Sequence, residues 1–239
     1  MKLVILSGGL GTRLSEETHK IPKPMVKIGK MPIIWHIMQY YSYYGINDFI
    51  ICGGYKYQII KKFFSFKKNI NSNWNVNVVN TGNNSNTGER IKRIKKYVDD
   101  TFLLTYGDGL SDINISKLIK FHRKFKGMVT LSSVKPVPKY GKILFKKNLI
   151  KRFYEKEQFR EDWINGGFFV CNKDLFSYFT KKNSVFESDV LNRLAKKGHL
   201  QGYKHTGFWY CMDTLRDKNF LNDIYKKGFT PWIKWENKN

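Results

Sequence analysis

No stretch of this 239-residue chain is apolar for anything near the ~20 positions that a membrane span needs. The first apolar run, Leu3–Leu6, also falls short of the roughly 7–15 apolar residues at the heart of a secretory signal. Both absences predict a cytoplasmic protein with no membrane partner. Cysteine is scarce: Cys52, Cys171 and Cys211 lie far apart without CxxC spacing, which excludes a conventional zinc site and a disulfide framework. Such thiols are expected to be small buried hydrophobes. Acidic residues are few, 19 against 43 basic ones, which leaves a formal charge of +24. Arginine is scarcer still, 8 of those 43. The lysines are scattered with no run of five, so the excess reads as a solvated coat and no nucleic-acid partner is expected.

What is present suits one α/β domain, since hydrophobic residues make up 41% of the chain. Lys2–Leu6 reads as a short buried strand and Met31–Gly45 as an apolar helix closed by glycine. A strand follows at Asp48–Cys52 and a second helix at Tyr55–Phe66. Residues 67–86 are rich in asparagine, and only the stretch VNVV there resembles a strand. Ile91, Ile94 and Val98 recur at helical spacing. The stretch TFLLTYGDG (101–109) is a strand ending in a turn, and an amphipathic helix through Ile115, Leu118 and Ile119 precedes another strand at 128–134. This alternation predicts a mainly parallel sheet with helices on both faces. After Pro138 the pattern changes to a hairpin, a strand through INGGFFVC, helices near Lys173–Phe179 and Phe186–Lys197, and a long last helix.

The stretch SGGLGTRL (7–14) carries the chemistry. It is not a P-loop, because no lysine–serine or lysine–threonine pair follows the glycines. It is not a dinucleotide-binding turn either, because Leu14 stands where the third glycine belongs and no acidic ribose ligand follows. What remains is an anion cradle: Gly8, Gly9 and Gly11 let backbone N–H groups close on phosphate, and Arg13 offers a planar, permanently charged fork. Lys23 sits between Pro22 and Pro24, which restrain the backbone on either side of it. Asp108 lies just past a strand, at the carboxyl edge where open α/β sheets bind ligands, with Gly107 and Gly109 leaving room for a phosphate–metal complex.

GGLGTRL followed by PKPM resembles the sugar-1-phosphate nucleotidyltransferases. The further stretches LSEET, WHIM, YGDG, INGGFF, GFWYCMDTLRDK and PWIKW are similar to its glucose-1-phosphate cytidylyltransferase branch, over Lys2 to about Glu236. The resemblance implies a Rossmann-like three-layer α/β/α fold with a mainly parallel mixed sheet, of the GT-A-like nucleotidyltransferase type. One domain would cover 1–239, with a nucleotide-binding half (1–135) and a sugar-binding half with the C-terminal helix (136–239). It implies CTP and a sugar 1-phosphate as partners, Mg²⁺ as cofactor and a homo-oligomer. Arg13 and Lys23 would be catalytic. Leu6, Gly8, Gly9, Gly11, Thr12, Thr81, Gly82 and Gly107 would join them around the nucleotide. Gly141, Glu155, Lys156, Asn165, Gly166 and Trp209 would hold the sugar phosphate, and Asp108 and Asp213 the metal. Taken alone, Asp213 also reads as the N-cap of the last helix. His36, inside an apolar helix, reads as a packed core histidine, and Trp35 and Trp232 as core.

The chain departs from the family at several points. Ser7 stands for alanine, Glu89 for a glycine near the base, Glu157 for a proline beside Lys156, and Lys142 and Ile143 for smaller or different residues. The segment between Phe66 and Trp74 is short. These changes leave open a different hexose 1-phosphate, or UTP or dTTP. A non-catalytic nucleotide- or RNA-binding protein is a further alternative.

Overall fold

The computed structural model describes residues 1–136, 141–155 and 163–236, with the backbone alone at Lys142. In chain order the strands are β1 (Lys2–Ser7), β2 (Lys27–Ile28), β3 (Met31–Pro32), β4 (Asp48–Gly53), β5 (Asn75–Asn80), β6 (Thr101–Tyr106), β7 (Gly109–Ser111) and β8 (Val129–Val134). They continue with β9 (Lys142–Lys146), β10 (Leu149–Tyr154), β11 (Ile164–Asn172), β12 (Leu200–His205) and β13 (Trp209–Cys211). The α-helices are α1 (Ser15–Thr18), α2 (Ile33–Tyr43), α3 (Tyr57–Ser65), α4 (Thr87–Arg93), α5 (Ile115–Arg123), α6 (Asn192–Lys196) and α7 (Leu215–Lys226).

Seven strands form the main sheet in the order β12-β8-β11-β6-β1-β4-β5. Every neighbouring pair is parallel except those made by β11, which runs antiparallel to β6 and β8. Strand β1 shows why the sheet is covered on both faces. Its Leu3 and Ile5 point into one apolar cluster with α2 and α3, while Val4 and Leu6 point into another with Ile91 of α4 and Phe186. Alternate side chains of a strand face opposite ways, so both sets must find an apolar layer. The result is the three-layer α/β/α arrangement with a mainly parallel mixed sheet. His36 is buried on the α2 side, with Trp232 fully buried and Trp35 and Trp235 packed around it.

Several segments differ from the sequence pattern. Residues Lys173–Tyr178 form 3-10 turns, and Phe186–Leu191 is a run of wide π-type turns leading into α6. Strand β12 has the half-exposed alternation of an edge strand, and its lysine, glutamine and histidine hide it from a hydrophobicity reading. The β9–β10 hairpin stands off the main sheet and exposes Phe145, Leu149, Ile150 and Phe153.

Candidate active site

The carboxyl ends of β1 and β6 lie side by side and open into a cavity of about 410 Å³. Its wall includes Leu6, Gly8, Gly9, Gly11, Thr12, Arg13, Lys23, Gly107, Asp108 and Asp213. Gly11 has φ of +69°, a left-handed conformation that starts the helical turn through Thr12–Leu14. The Thr18 hydroxyl, donating within reach of the Gly11 and Leu14 carbonyls at 3.0 Å, ties the loop down. At Gly8 the reason for glycine is space, because a Cβ there would lie 2.1 Å from the Arg90 guanidinium.

Arg90 is the residue that the sequence reading passed over. It is 4% exposed and lies against the cavity. Its guanidinium donates to the Gly8 carbonyl (2.9 Å), the Gly82 carbonyl (2.7 Å), the Thr81 hydroxyl (2.9 Å), and the Asn83 and Gly53 carbonyls (3.2 and 3.3 Å). All five acceptors are neutral, and no carboxylate pairs with Arg90 among the described residues. Burial, opposed by nearby Cys52 and reinforced by Arg93, shifts its pKa down, as expected of a cation lacking a counter-ion. Thr81 and Gly82, expected on the nucleotide, lie off the wall of this cavity and instead hold Arg90 in place. The signal was in the TGER stretch, beside the glutamate that drew attention. Glu89 itself turns away, to Arg93 at 2.9 Å and the Asn183 backbone N–H at 3.3 Å, and lines neither cavity.

Lys23 is aimed at two carboxylates. Its ammonium lies 2.7 Å from Asp108 Oδ2 and 2.6 Å from Asp213 Oδ1, while Arg13 takes Asp213 Oδ2 at 2.9 Å. Burial pulls the Lys23 pKa down, but the charge of Asp108 and the hydrogen bonds to both aspartates together push it up to about 12. Asp213 is free for this because Thr214 is the N-cap of α7. Thr214 and Asp217 form a reciprocal capping box, with the Thr214 N–H donating to Asp217 Oδ2 at 2.9 Å.

A short antiparallel ladder brings the two aspartates together across the chain. β13 pairs with β7, Cys211 opposite Gly109, and the Met212 N–H donates to the Asp108 carbonyl at 2.9 Å. The ladder also presents Cys211. Cys52 and Cys171 are fully buried, as expected for thiols in a core, whereas Cys211 is half-buried beside the aspartates. One donor atom each from Asp108, Cys211 and Asp213 lie within 4.8 Å of one another. The two carboxylates already hold a cation, the Lys23 ammonium, and a pair of hard oxygen donors suits a divalent ion.

A second cavity, about 280 Å³, adjoins the first and shares Arg13, Tyr106, Asp108 and Asp213 with it. Asn165, Gly166 and Trp209 line it, with the Trp209 indole N–H donating to the Gly166 carbonyl at 2.7 Å. Asn165 is held by its own turn, accepting from the Gly167 N–H at 2.9 Å, and it donates to the Tyr106 hydroxyl at 3.2 Å. That hydroxyl in turn donates to Glu187, which accepts from Thr87 of the first cavity. Tyr106 therefore forms a partition between the cavities. Gly141 and Glu155, expected on the sugar, lie on the hairpin and line neither cavity; a Cβ at Gly141 would meet Phe153 at 2.6 Å. Lys156 and Glu157 lie outside the described residues. Ser7 sits at the end of β1 with its hydroxyl buried against Gly107 and without a hydrogen-bond partner.

Two adjoining cavities at the carboxyl end of a mainly parallel sheet, with paired acids at their junction, describe an enzyme that brings two ligands together. Residues 2–221 match the nucleotidyl transferase family model, and the chain belongs to that family. It is 43% identical to glucose-1-phosphate cytidylyltransferase of Salmonella typhimurium, across 99% of this chain and all of that one. It is 40% identical to the probable glucose-1-phosphate cytidylyltransferase of Bacillus subtilis, across 98% of this chain and all of that one. Among solved structures, UDP-glucose pyrophosphorylase in complex with UDP-glucose superimposes with a TM-score of 0.75 at 18% identity, covering 95% of this chain and 98% of that one, a likeness of fold. No helix among the described residues is long and apolar enough to cross a membrane.

Proposed function

We propose that this enzyme transfers a cytidylyl group from CTP to a sugar 1-phosphate, glucose 1-phosphate in the first instance, giving a CDP-sugar and pyrophosphate. The observation that carries the reading is the junction itself: two cavities share Arg13, Tyr106, Asp108 and Asp213, with the Lys23 ammonium between the acids. In the first cavity, Arg90 supplies a positive charge that no carboxylate pairs with among the described residues, and Gly8, Gly9 and Gly11 supply a glycine cradle, an environment suited to a triphosphate. In the second, Asn165, Gly166 and Trp209 offer the amide, carbonyl and ring surface that a sugar needs.

The attacking oxygen belongs to a phosphate monoester, whose second pKa of ~6 makes it mostly dianionic at neutral pH. It forms a bond to the α-phosphorus as the bond to the bridging oxygen breaks, and pyrophosphate leaves with that electron pair. No general base is required. The obstacle is repulsion between two anions, so the protein's contribution is positioning and positive charge. Arg13 at the shared wall and Lys23 between the acids serve both anions. Asp108 and Asp213 would hold Mg²⁺, which when bound neutralises charge on the triphosphate oxygens.

The half-exposed apolar side chains of the β9–β10 hairpin support a homo-oligomer, and the soluble substrates support a cytoplasmic location. Four triphosphates crossed with several sugar 1-phosphates, read by pyrophosphate release, test the reading. CTP with glucose 1-phosphate should turn over fastest, and Asp108→Ala should abolish that turnover in a folded protein. A faster pair elsewhere in the panel would replace the substrates, and no pyrophosphate from any pair would end the proposal.

A further inference from the structure

The junction holds a donor that oxygen chemistry does not need. Cys211 ends β13 opposite Gly109, and the ladder turns its sulfur toward the aspartates on either side, within 4.8 Å of a carboxylate oxygen of each. It lines the second cavity together with Asp108 and Asp213 and is half-buried, so an ion entering there meets the sulfur as well as the oxygens. The other two thiols are 0% exposed within a core cluster and line neither cavity, so they supply nothing to this site. The Lys23 ammonium, within 2.7 Å of both acids, shows that the cluster attracts and holds a cation.

We infer that Cys211 is a third metal donor and that the set Asp108–Cys211–Asp213 gives this site a stronger preference for a thiophilic divalent ion such as Zn²⁺ than two carboxylates alone would give. This inference rests on the reading of Asp108 and Asp213 as the metal-holding pair. Magnesium is a hard ion that takes oxygen ligands and gains nothing from sulfur. Zinc binds thiolate readily, at about 2.3 Å, together with carboxylate oxygen. The thiol proton passes to the buffer as the metal–sulfur bond forms, because the thiolate is the ligand. Lys23 gives up the same oxygens to any ion that enters, so Mg²⁺ and Zn²⁺ meet the same competitor, and the sulfur widens the difference between them.

Cadmium serves as the spectroscopic probe, because its thiolate complexes have an ultraviolet charge-transfer band. The metal-free full-length protein is titrated with cadmium chloride, and separately with zinc and magnesium chlorides followed by calorimetry. The wild type should show a thiolate–cadmium band saturating at one ion per chain. Cys211→Ala and Cys211→Ser should lack the band and bind Cd²⁺ and Zn²⁺ about 10- to 100-fold more weakly or worse, since losing even an outer-shell partner costs that much. Magnesium affinity should be the same in all three proteins. Circular dichroism and thermal melts confirm that each variant is folded, and two replacements guard against one failing. No band in the wild type, or the same band in both variants, overturns the inference. The substrate panel reports on the enzymatic reading independently. A Cys211-dependent band without pyrophosphate release would sink only the enzymatic reading, and turnover without a band would sink only the sulfur donor.

Discussion

Replacing Arg90 by methionine removes a buried cation that five neutral acceptors hold and no acid balances among the described residues. Each hydrogen bond to a charged donor is worth about 1.5–3 kcal/mol, yet the five do not add, because they share one group. Burial of the guanidinium without a counter-ion offsets part of the gain, and acceptors bordering the cavity regain water in the variant. The net loss should be about 2–4 kcal/mol, or roughly 5–15 °C in melting temperature for a chain of this size. The same change should weaken nucleotide binding, because the cavity loses its uncompensated charge. A KM for CTP about 10- to 100-fold higher corresponds to about 1.4–2.7 kcal/mol. Arg90→Lys keeps the charge but replaces a five-donor fork with a three-donor point, so it should recover part of the nucleotide affinity and little of the stability. Thermal melts with and without CTP, and CTP saturation curves for both variants, give the comparison. An Arg90→Met protein that melts with the wild type and binds CTP equally well refutes the account.

Two further outcomes follow from particular contacts. Burial holds the His36 pKa down at about 4, opposed only by the bond from its ring to the Ile28 carbonyl, and Nδ1 already faces the Trp232 indole N–H at 3.4 Å. The unfolded chain therefore takes up this proton before the folded one, and stability should fall as pH drops through the window from 6.5 to about 4. The loss should reach about 2 kcal/mol by pH 5. Urea melts at stepped pH should show this slope in the wild type and lose it in His36→Gln; an unchanged slope in the variant refutes the assignment. Tyr106→Phe removes the hydroxyl between Asn165 and Glu187. It should raise KM for the sugar phosphate about 3- to 10-fold, about the worth of one hydrogen bond, with a smaller change for CTP. An equal rise for both substrates would place Tyr106 outside the acceptor site.

How much was legible depends on how local each feature is. The βα alternation and the buried β1 were readable because the period of two and the helical period are written in neighbouring residues. The glycine loop was readable because neither a P-loop nor a dinucleotide turn can be spelled without its defining residues. Strand β12 was hidden because an edge strand keeps polar side chains, and β13 because three residues carry no period. The π-type turns at Phe186–Leu191 read simply as helix, since turn width does not change which side chains are apolar.

The acids at the junction mark the boundary. Sequence alone determined that Asp108 stands between two glycines past a strand, and that a proline-flanked lysine follows an arginine-bearing loop. It left Asp213 divided between a cap and a ligand. The Thr214–Asp217 box removed the cap by closing α7 without Asp213, and the β7–β13 ladder brought residues 108 and 213 together across the chain. The same holds for Arg90, whose importance lies in what it lacks: a missing counter-ion is a fact about surroundings. Glu89 reads as a threat in the linear string, whereas the helix turns it toward Arg93 and off the cavity walls. Composition and local spacing determine which groups a chain owns and which segments are regular. Which charges face each other, and which are left unbalanced, is decided by long-range strand pairing, because Coulomb forces and hydrogen bonds act through distances that the order of residues does not record.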